Sequence, residues 1–251
     1  MNNDENQYVN FANGYTERLL RLQKIDQNLS SIYGASWHKH SLNTMRVESL
    51  ARLLYLNDLY KKIIDVPGVI CEFGVRYGAS LAALVNLRSI YEPFNVSRTV
   101  HGFDTFHGLQ DTSSTDGNLA KNGDFSVPNN FEETLKEILE LLEADAPMSH
   151  VSKFELIKGN AIEKIDIWLD ENPHAIISMA IFDMDIYKPT KIVLQKILPR
   201  LTKGSLIVFD ELNYKDFPGE TVALQEVMGF GNVRLYRTPF QAHCAWCIWG
   251  E

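Results

Sequence analysis

Gly68-Val69-Ile70-Cys71-Glu72-Phe73-Gly74-Val75-Arg76-Tyr77-Gly78 is the stretch that decides how the rest of the chain is read. Gly68 to Glu72 is a short apolar run and reads as a buried strand. Gly78 to Tyr91 reads as a helix with Leu81, Leu84, Val85 and Leu87 turned inward. Between them, Glu72-x-Gly74-x-x-x-Gly78 makes a tight strand-to-helix turn. Glycines there let the backbone take unusual dihedrals and come close to a ligand, although any tight crossover can carry them for packing alone. The spacing is not the dinucleotide fingerprint G-x-G-x-x-G, because the acid precedes the first glycine.

Working outward, apolar runs and helical patterns alternate. Strands are expected at Thr99–Phe103, Phe154–Lys158, Ala175–Phe182 and Gly204–Phe209. Helices are expected at Phe131–Leu142, Ile162–Leu169, Thr190–Leu201 and Thr221–Val227. Residues 104–128 are rich in Asp, Ser, Gly and Asn and read as a long loop, which in a compact domain is usually a lid or a binding loop. Val233–Tyr236 and Cys244–Trp249 close the chain as two strands with no helix between them, which predicts an antiparallel edge pair. Alternating strands and helices imply a parallel sheet covered on both faces. Upstream, Asn43–Ile64 is helical and is stopped by Asp65-Val-Pro-Gly68, while residues 1–40 read as a polar arm, mobile or partly helical. The expected organisation is an N-terminal arm with helices over 1–65, acting as a lid or at a dimer contact, and one α/β domain over 66–251.

Composition narrows the functional class. The chain has 251 residues, 45% hydrophobic and 22% charged, as expected of an ordinary globular protein. No apolar run reaches the roughly 18–20 residues of a membrane span, and acid stands where a signal peptide would carry base. Three cysteines rule out a disulfide scaffold and fit a reduced cytoplasm. The net charge of −8 is uneven: residues 1–100 sum to +2 and residues 101–251 to −10. That argues against a broad basic face for nucleic acid, and it raises the question of a cation site.

Ligands of open α/β sheets bind beyond the carboxyl ends of the strands, and here those ends are polar. They read Glu72-Phe-Gly74, Phe103-Asp104-Thr105-Phe106, Lys158-Gly159-Asn160-Ala161, Asp183-Met184-Asp185-Ile186-Tyr187 and Asp210-Glu211. A carboxylate ending the second strand can accept ribose hydroxyls, or it can simply cap a loop. Four carboxylates on two neighbouring strand ends would repel each other and raise each other's pKa, which a hard divalent cation such as Mg²⁺ relieves.

The glycine turn, Asp104 and the closing strand pair resemble the class I S-adenosylmethionine-dependent methyltransferases. The resemblance implies a Rossmann-like α/β fold with a seven-stranded sheet in the order 3-2-1-4-5-7-6, the last strand antiparallel, and an N-terminal helical extension. It also implies that Glu72, Gly74 and Gly78 lie at the methionine end of the cofactor, with Ser80 and Asp183 among the cofactor-binding residues. Asp104 would then hold the ribose, Phe106 would lie against the cofactor, and Asn160 and Ala161 would lie near the adenine. Gly102-Phe-Asp104-Thr-Phe106-x-Gly108-Leu109, Asp183-x-Asp185-x-Tyr187 and Gly204-x-x-x-x-x-Asp210 are similar to the macrocin O-methyltransferase family, which methylates sugar hydroxyls in tylosin, mycinamicin and novobiocin assembly. That family pairs two aspartates where this chain has Asp210-Glu211, and it usually has glycine at the position of Met184.

The mechanism expected from this resemblance has Asp183, Asp210 and Glu211 hold one Mg²⁺, with Asp185 as general base; Asp183 and Asp185 are interchangeable at this level. The acceptor is a sugar hydroxyl on a nucleotide sugar, glycan or glycosylated natural product, and the chain is expected to be a homodimer or higher homo-oligomer. A metal and a cofactor serve a catechol-like phenol equally well, so that acceptor remains an alternative. Arg46, Arg76, His38, His40 and Lys121 are either phosphate or sugar contacts or plain surface charge. Cys244-Ala-Trp-Cys247 has no second cysteine pair to complete a zinc site, and it reads, like Trp246 and Trp249, as sheet packing.

Overall fold

Seven strands form one sheet in the order β3-β2-β1-β4-β5-β7-β6. The computed structural model describes residues 14–251. By internal contacts the chain divides after Ala51, into a unit ending there and a unit of Arg52–Glu251.

The first unit contains α1 (Tyr15–Tyr33), a 3-10 segment (Gly34–Asn43) and the start of α2 (Val47–Ile63). Neither α1 nor the 3-10 segment has a buried residue, and Ile32, Trp37 and Leu42 are exposed. The arm read from residues 1–40 therefore contains a 19-residue helix, built from good helix formers rather than from a regular apolar stripe.

In the second unit the parallel strands are β1 (Val69–Phe73), β2 (Val100–Asp104), β3 (Phe154–Lys158), β4 (Ile177–Phe182) and β5 (Leu201–Phe209). Every residue of β4 is buried, as its nearly continuous apolar run requires. β7 (Ala245–Ile248) runs antiparallel to β5 and to the edge strand β6 (Tyr236–Arg237). α3 (Ala79–Tyr91), α4 (Phe131–Ala144), α5 (Ala161–Glu171), α6 (Tyr187–Ile197) and α7 (Gly219–Val227) complete the order. Two apolar clusters lie on the two faces of the sheet. Cys244 belongs to one and Cys247 to the other, and both thiols are free, as the strand reading of Cys244–Trp249 expected.

One row of the sheet sets the height of everything above it. Phe103, Phe73, Phe182 and Phe209 are register partners on four neighbouring strands, and their rings stack at centroid distances of 4.8, 5.3 and 5.3 Å. The next residue on each strand carries on the ladder: Gly74 N–H donates to the Phe103 carbonyl, Asp183 N–H to Phe73 and Asp210 N–H to Phe182. Gly74, Asp104, Asp183 and Asp210 therefore emerge at one level. Arg98, fully buried, donates to the Ile63 and Val66 carbonyls at 2.9 and 2.8 Å and pairs with Glu92, which anchors the end of α2 to the sheet. α6 begins three residues before the expected Thr190, because Pro189 sits in its first turn, where a fixed φ and a missing N–H are tolerated.

Candidate active site

Above the phenylalanine row lies a cavity of about 530 Å³, a usual size for a small-molecule site. Its wall includes Arg52, Glu72, Gly74, Gly78, Ser80, Asp104, Asn160, Ala161, Asp183, Asp185, Asp210 and Glu211. Those strand-end residues meet in one place. Phe106 is the exception. It is 3% exposed at φ +59° and packs into the apolar cluster, while Thr105, Gly108 and Leu109 around it reach the wall.

The glycine turn is shaped by packing. A Cβ on Gly74, at φ +95°, would lie 1.8 Å from the Asp183 carbonyl oxygen, and one on Gly78 would lie 2.3 Å from Leu135. Only glycine lets the first and fourth strand ends come this close. Asp104 holds the same turn from the other side. Its Oδ2 accepts the Val75 and Arg76 amides at 2.6 and 2.8 Å, and its Oδ1 accepts the Phe106 amide at 2.5 Å. A carboxylate has about four lone-pair sites, so Asp104 keeps roughly one for a ligand. Asn160 Oδ1 caps α5 by accepting the Ile162 amide at 3.0 Å. Glu72 is buried with no partner for Oε2, and burial pushes its pKa up to about 8.

Beyond β4 and β5 the carboxylates face one another. Asp183, Asp185 and Glu211 each offer an oxygen, and these oxygens all lie within 4.8 Å of one another. Burial and the neighbouring acids raise all three: Asp185 to about 6, Asp183 and Glu211 well above the usual range. Glu211 Oε2 has no hydrogen-bond partner. Three hard oxygen donors in this state suit an oxygen-loving divalent cation. Asp210, expected among the metal ligands, lies outside that trio but on the same cavity wall. Its Oδ1 pairs with the Arg52 guanidinium and accepts from the Cys244 thiol at 3.1 Å.

Two solved structures of CalS11 match the chain closely. One, described as a calicheamicin methyltransferase, shares 38% identity at a TM-score of 0.93, over 100% of this chain and 98% of its own. The other, an apo form described as a TDP-rhamnose 3′-O-methyltransferase of calicheamicin biosynthesis, shares 36% identity at 0.86, over 99% and 100%. The chain belongs to the S-adenosylmethionine-dependent sugar O-methyltransferases. The O-methyltransferase NovP, at 17% identity and TM-score 0.58 over 79% of both chains, shares the fold. No protein-family model and no curated protein sequence matches the chain.

In this methyltransferase several working residues had no sequence signal. Arg52, on α2, donates to Ser80 at 3.0 Å and to Asp183 at 3.2 Å as well as pairing with Asp210. Only the approach of α2 to the strand ends reveals it. Glu220, at the start of α7, is fully buried and accepts four backbone amides, from Met184, Asp185, Asp210 and Glu211. Asp116, in the long loop, is also fully buried and accepts the Tyr187 amide at 2.5 Å, which caps α6 in place of the apolar Ile186. Of the basic candidates, Arg76 lines the cavity and Lys121 is an exposed loop residue. Arg46, His38 and His40 lie in the first unit, where Arg46 pairs with Glu48 and His40 stacks on Tyr33 at 3.8 Å.

Proposed function

We propose that the protein transfers a methyl group from S-adenosylmethionine to a sugar hydroxyl with help from one divalent cation, and that the acceptor is a nucleotide sugar such as TDP-rhamnose. The observation that carries this reading is the convergence of Asp183, Asp185 and Glu211 at the wall of the cavity that Glu72 and Asp104 also line. The likeness to CalS11 supports the acceptor class.

Bound there, Mg²⁺ would lower the pKa of a sugar hydroxyl and orient it. Asp183 and Glu211 would hold the ion, and Asp185 has two oxygens, one to complete the ligand set and one to accept the hydroxyl proton. Asp210 serves by fixing Arg52 rather than as a ligand. On the cofactor side, the unpartnered Glu72 oxygen can accept the methionine ammonium, and Asp104 retains an acceptor for a ribose hydroxyl. Asn160 and Ala161 flank the adenine end. Gly74 and Gly78 shape the wall through their packing. The protein's main task is then alignment of oxygen, methyl carbon and sulfur.

The protein is further proposed to act as a cytoplasmic homo-oligomer. Free cysteines and the exposed apolar side chains of the N-terminal unit support that reading. No described helix is long and apolar enough to cross a membrane. The deciding experiment is methyl transfer to TDP-rhamnose in EDTA and after Mg²⁺ is restored. Loss in chelator and recovery with Mg²⁺ is expected, and full activity in chelator would sink the metal role.

A further inference from the structure

Asp185 occupies an unusual backbone. Its φ is +62°, and the Ile186 amide donates to the Met184 carbonyl at 2.7 Å, closing a three-residue turn with Asp185 at its centre. Such turns are rare and strained, and they persist only where the surroundings over-determine them. Three neighbours do so here. Glu220 Oε1 accepts the Met184 and Asp185 amides, both at 3.3 Å. Asp116 accepts the Tyr187 amide just beyond. Gly219 lets α7 press against the turn, since a Cβ there would lie 2.5 Å from the Tyr187 nitrogen and 2.9 Å from the Asp185 carbonyl oxygen.

The other Glu220 oxygen reaches the second acidic loop. Oε2 accepts the Asp210 and Glu211 amides at 3.1 and 3.2 Å. One buried carboxylate thus bridges the backbones that carry Asp185 and Glu211, although it belongs to neither loop. Arg52 also spans the two loops, but through the side chains of Asp183 and Asp210 rather than through their backbones.

We infer that Glu220 is the positioning residue of the carboxylate cluster: it holds the β4 and β5 loops at a fixed separation, and so sets where Asp185 and Glu211 present their oxygens. The inference rests on the metal-assisted reading above for its consequence, but on the hydrogen bonds alone for its geometry. Gln at this position keeps one acceptor oxygen and turns an N–H₂ donor toward amides that are themselves donors, so one loop loses its bonds to residue 220, although the Asp210 amide keeps its bond to the Phe182 carbonyl. Ala releases both.

The test compares the wild type, Glu220→Gln and Glu220→Ala, with Glu226→Gln on the same helix as control. Hydrogen exchange is read on peptides spanning 183–187 and 210–213, Mn²⁺ affinity by electron paramagnetic resonance, and S-adenosylhomocysteine affinity by calorimetry. In Glu220→Gln we expect faster exchange in one or both loops and S-adenosylhomocysteine affinity within about threefold of wild type. Mn²⁺ affinity and kcat should fall about 10–100-fold, the usual effect of losing a group that orients metal ligands. Glu220→Ala should lie further in the same direction; should it fail to fold, Glu220→Gln decides alone. Unchanged exchange in both loops overturns the inference. So does a parallel loss of S-adenosylhomocysteine and Mn²⁺ affinity, which would mean a general structural role. If the wild type binds no Mn²⁺, the metal reading fails, and the exchange data still decide whether Glu220 holds the loops.

Discussion

Asp104 ends one strand of the sheet and Asp185 follows another, and both line one cavity, yet their surroundings treat them in opposite ways. Asp104 accepts three backbone amides and is nearly saturated. Asp185 faces Glu211 and Asp183, and it depends on Glu220 and Asp116 only for its backbone. A carboxylate whose oxygens are taken up by N–H groups is a structural part, fixed in place by those bonds. A carboxylate left among its own kind needs a proton or a cation. On the proposed reading, the cofactor side of the cavity is built in advance, while the β4–β5 side is the poised one that would take an ion.

The sharpest way to break this contrast is to neutralise one member of the poised side. Asp185→Asn keeps size and removes the base, so kcat is expected to fall about 10²–10⁴-fold. S-adenosylhomocysteine affinity should stay near wild type, because the bonds of Asp104 are untouched. Single-turnover methyl transfer with calorimetry checks both halves. Retained turnover would remove Asp185 from the chemistry.

The mirror experiment is Asp104→Asn. Whichever oxygen becomes N–H₂, it opposes a backbone donor, either the Val75 and Arg76 pair or Phe106. Losing bonds to a charged acceptor costs about 1.5–3 kcal/mol each. Stability to urea should drop by about that much and S-adenosylhomocysteine should bind more weakly, with Mn²⁺ affinity unchanged. Equal loss of both ligands would erase the distinction between the two sides.

How far the sequence foretold this contrast depends on what carries each part. Apolar runs carried the sheet, because burial on both faces leaves β1, β4 and the second half of β5 mostly apolar. The strand-end acids were legible for the same reason, as polar residues directly after buried runs. Their partners were not. Arg52 comes from a helix that precedes the first strand, and Glu220 looks like an ordinary first-turn acid of α7. Which of four nearby carboxylates would pair with a distant cation was equally hidden: Asp210 meets Arg52 and the Cys244 thiol, and Asp183 shares the same guanidinium. Pattern reports burial along one element, whereas a side chain's partner is fixed by elements far apart in the chain.

Acidity offers a gentler probe of the poised side. Asp183, Asp185 and Glu211 have folded pKa values above the unfolded ones, with Asp185 at about 6. The folded state therefore binds protons more tightly, and metal-free stability falls as pH rises from about 4 through 6. Mg²⁺ replaces those protons, so it should raise Tm by several degrees at pH 8 and by little at pH 5. Thermal melts at both pH values, with and without Mg²⁺, check this. A Tm that rises with pH in the metal-free protein would contradict the direction.

The smallest expected effect separates acceptors rather than sides. Lys188 pairs with Asp111 at 3.0 Å, and both line the cavity, but their side chains are 51% and 62% exposed. An exposed pair contributes about 0.2–1 kcal/mol, so Lys188→Ala should leave Tm almost unchanged. A single charge at the mouth can still act on an anionic acceptor, at about 1 kcal/mol in a watery setting, or roughly a fivefold change in KM. Lys188→Ala should therefore raise KM severalfold for a nucleotide sugar and leave it unaltered for the same sugar without phosphates. An equal shift for both would mean that Lys188 acts through the shape of the loop it tethers rather than through its charge.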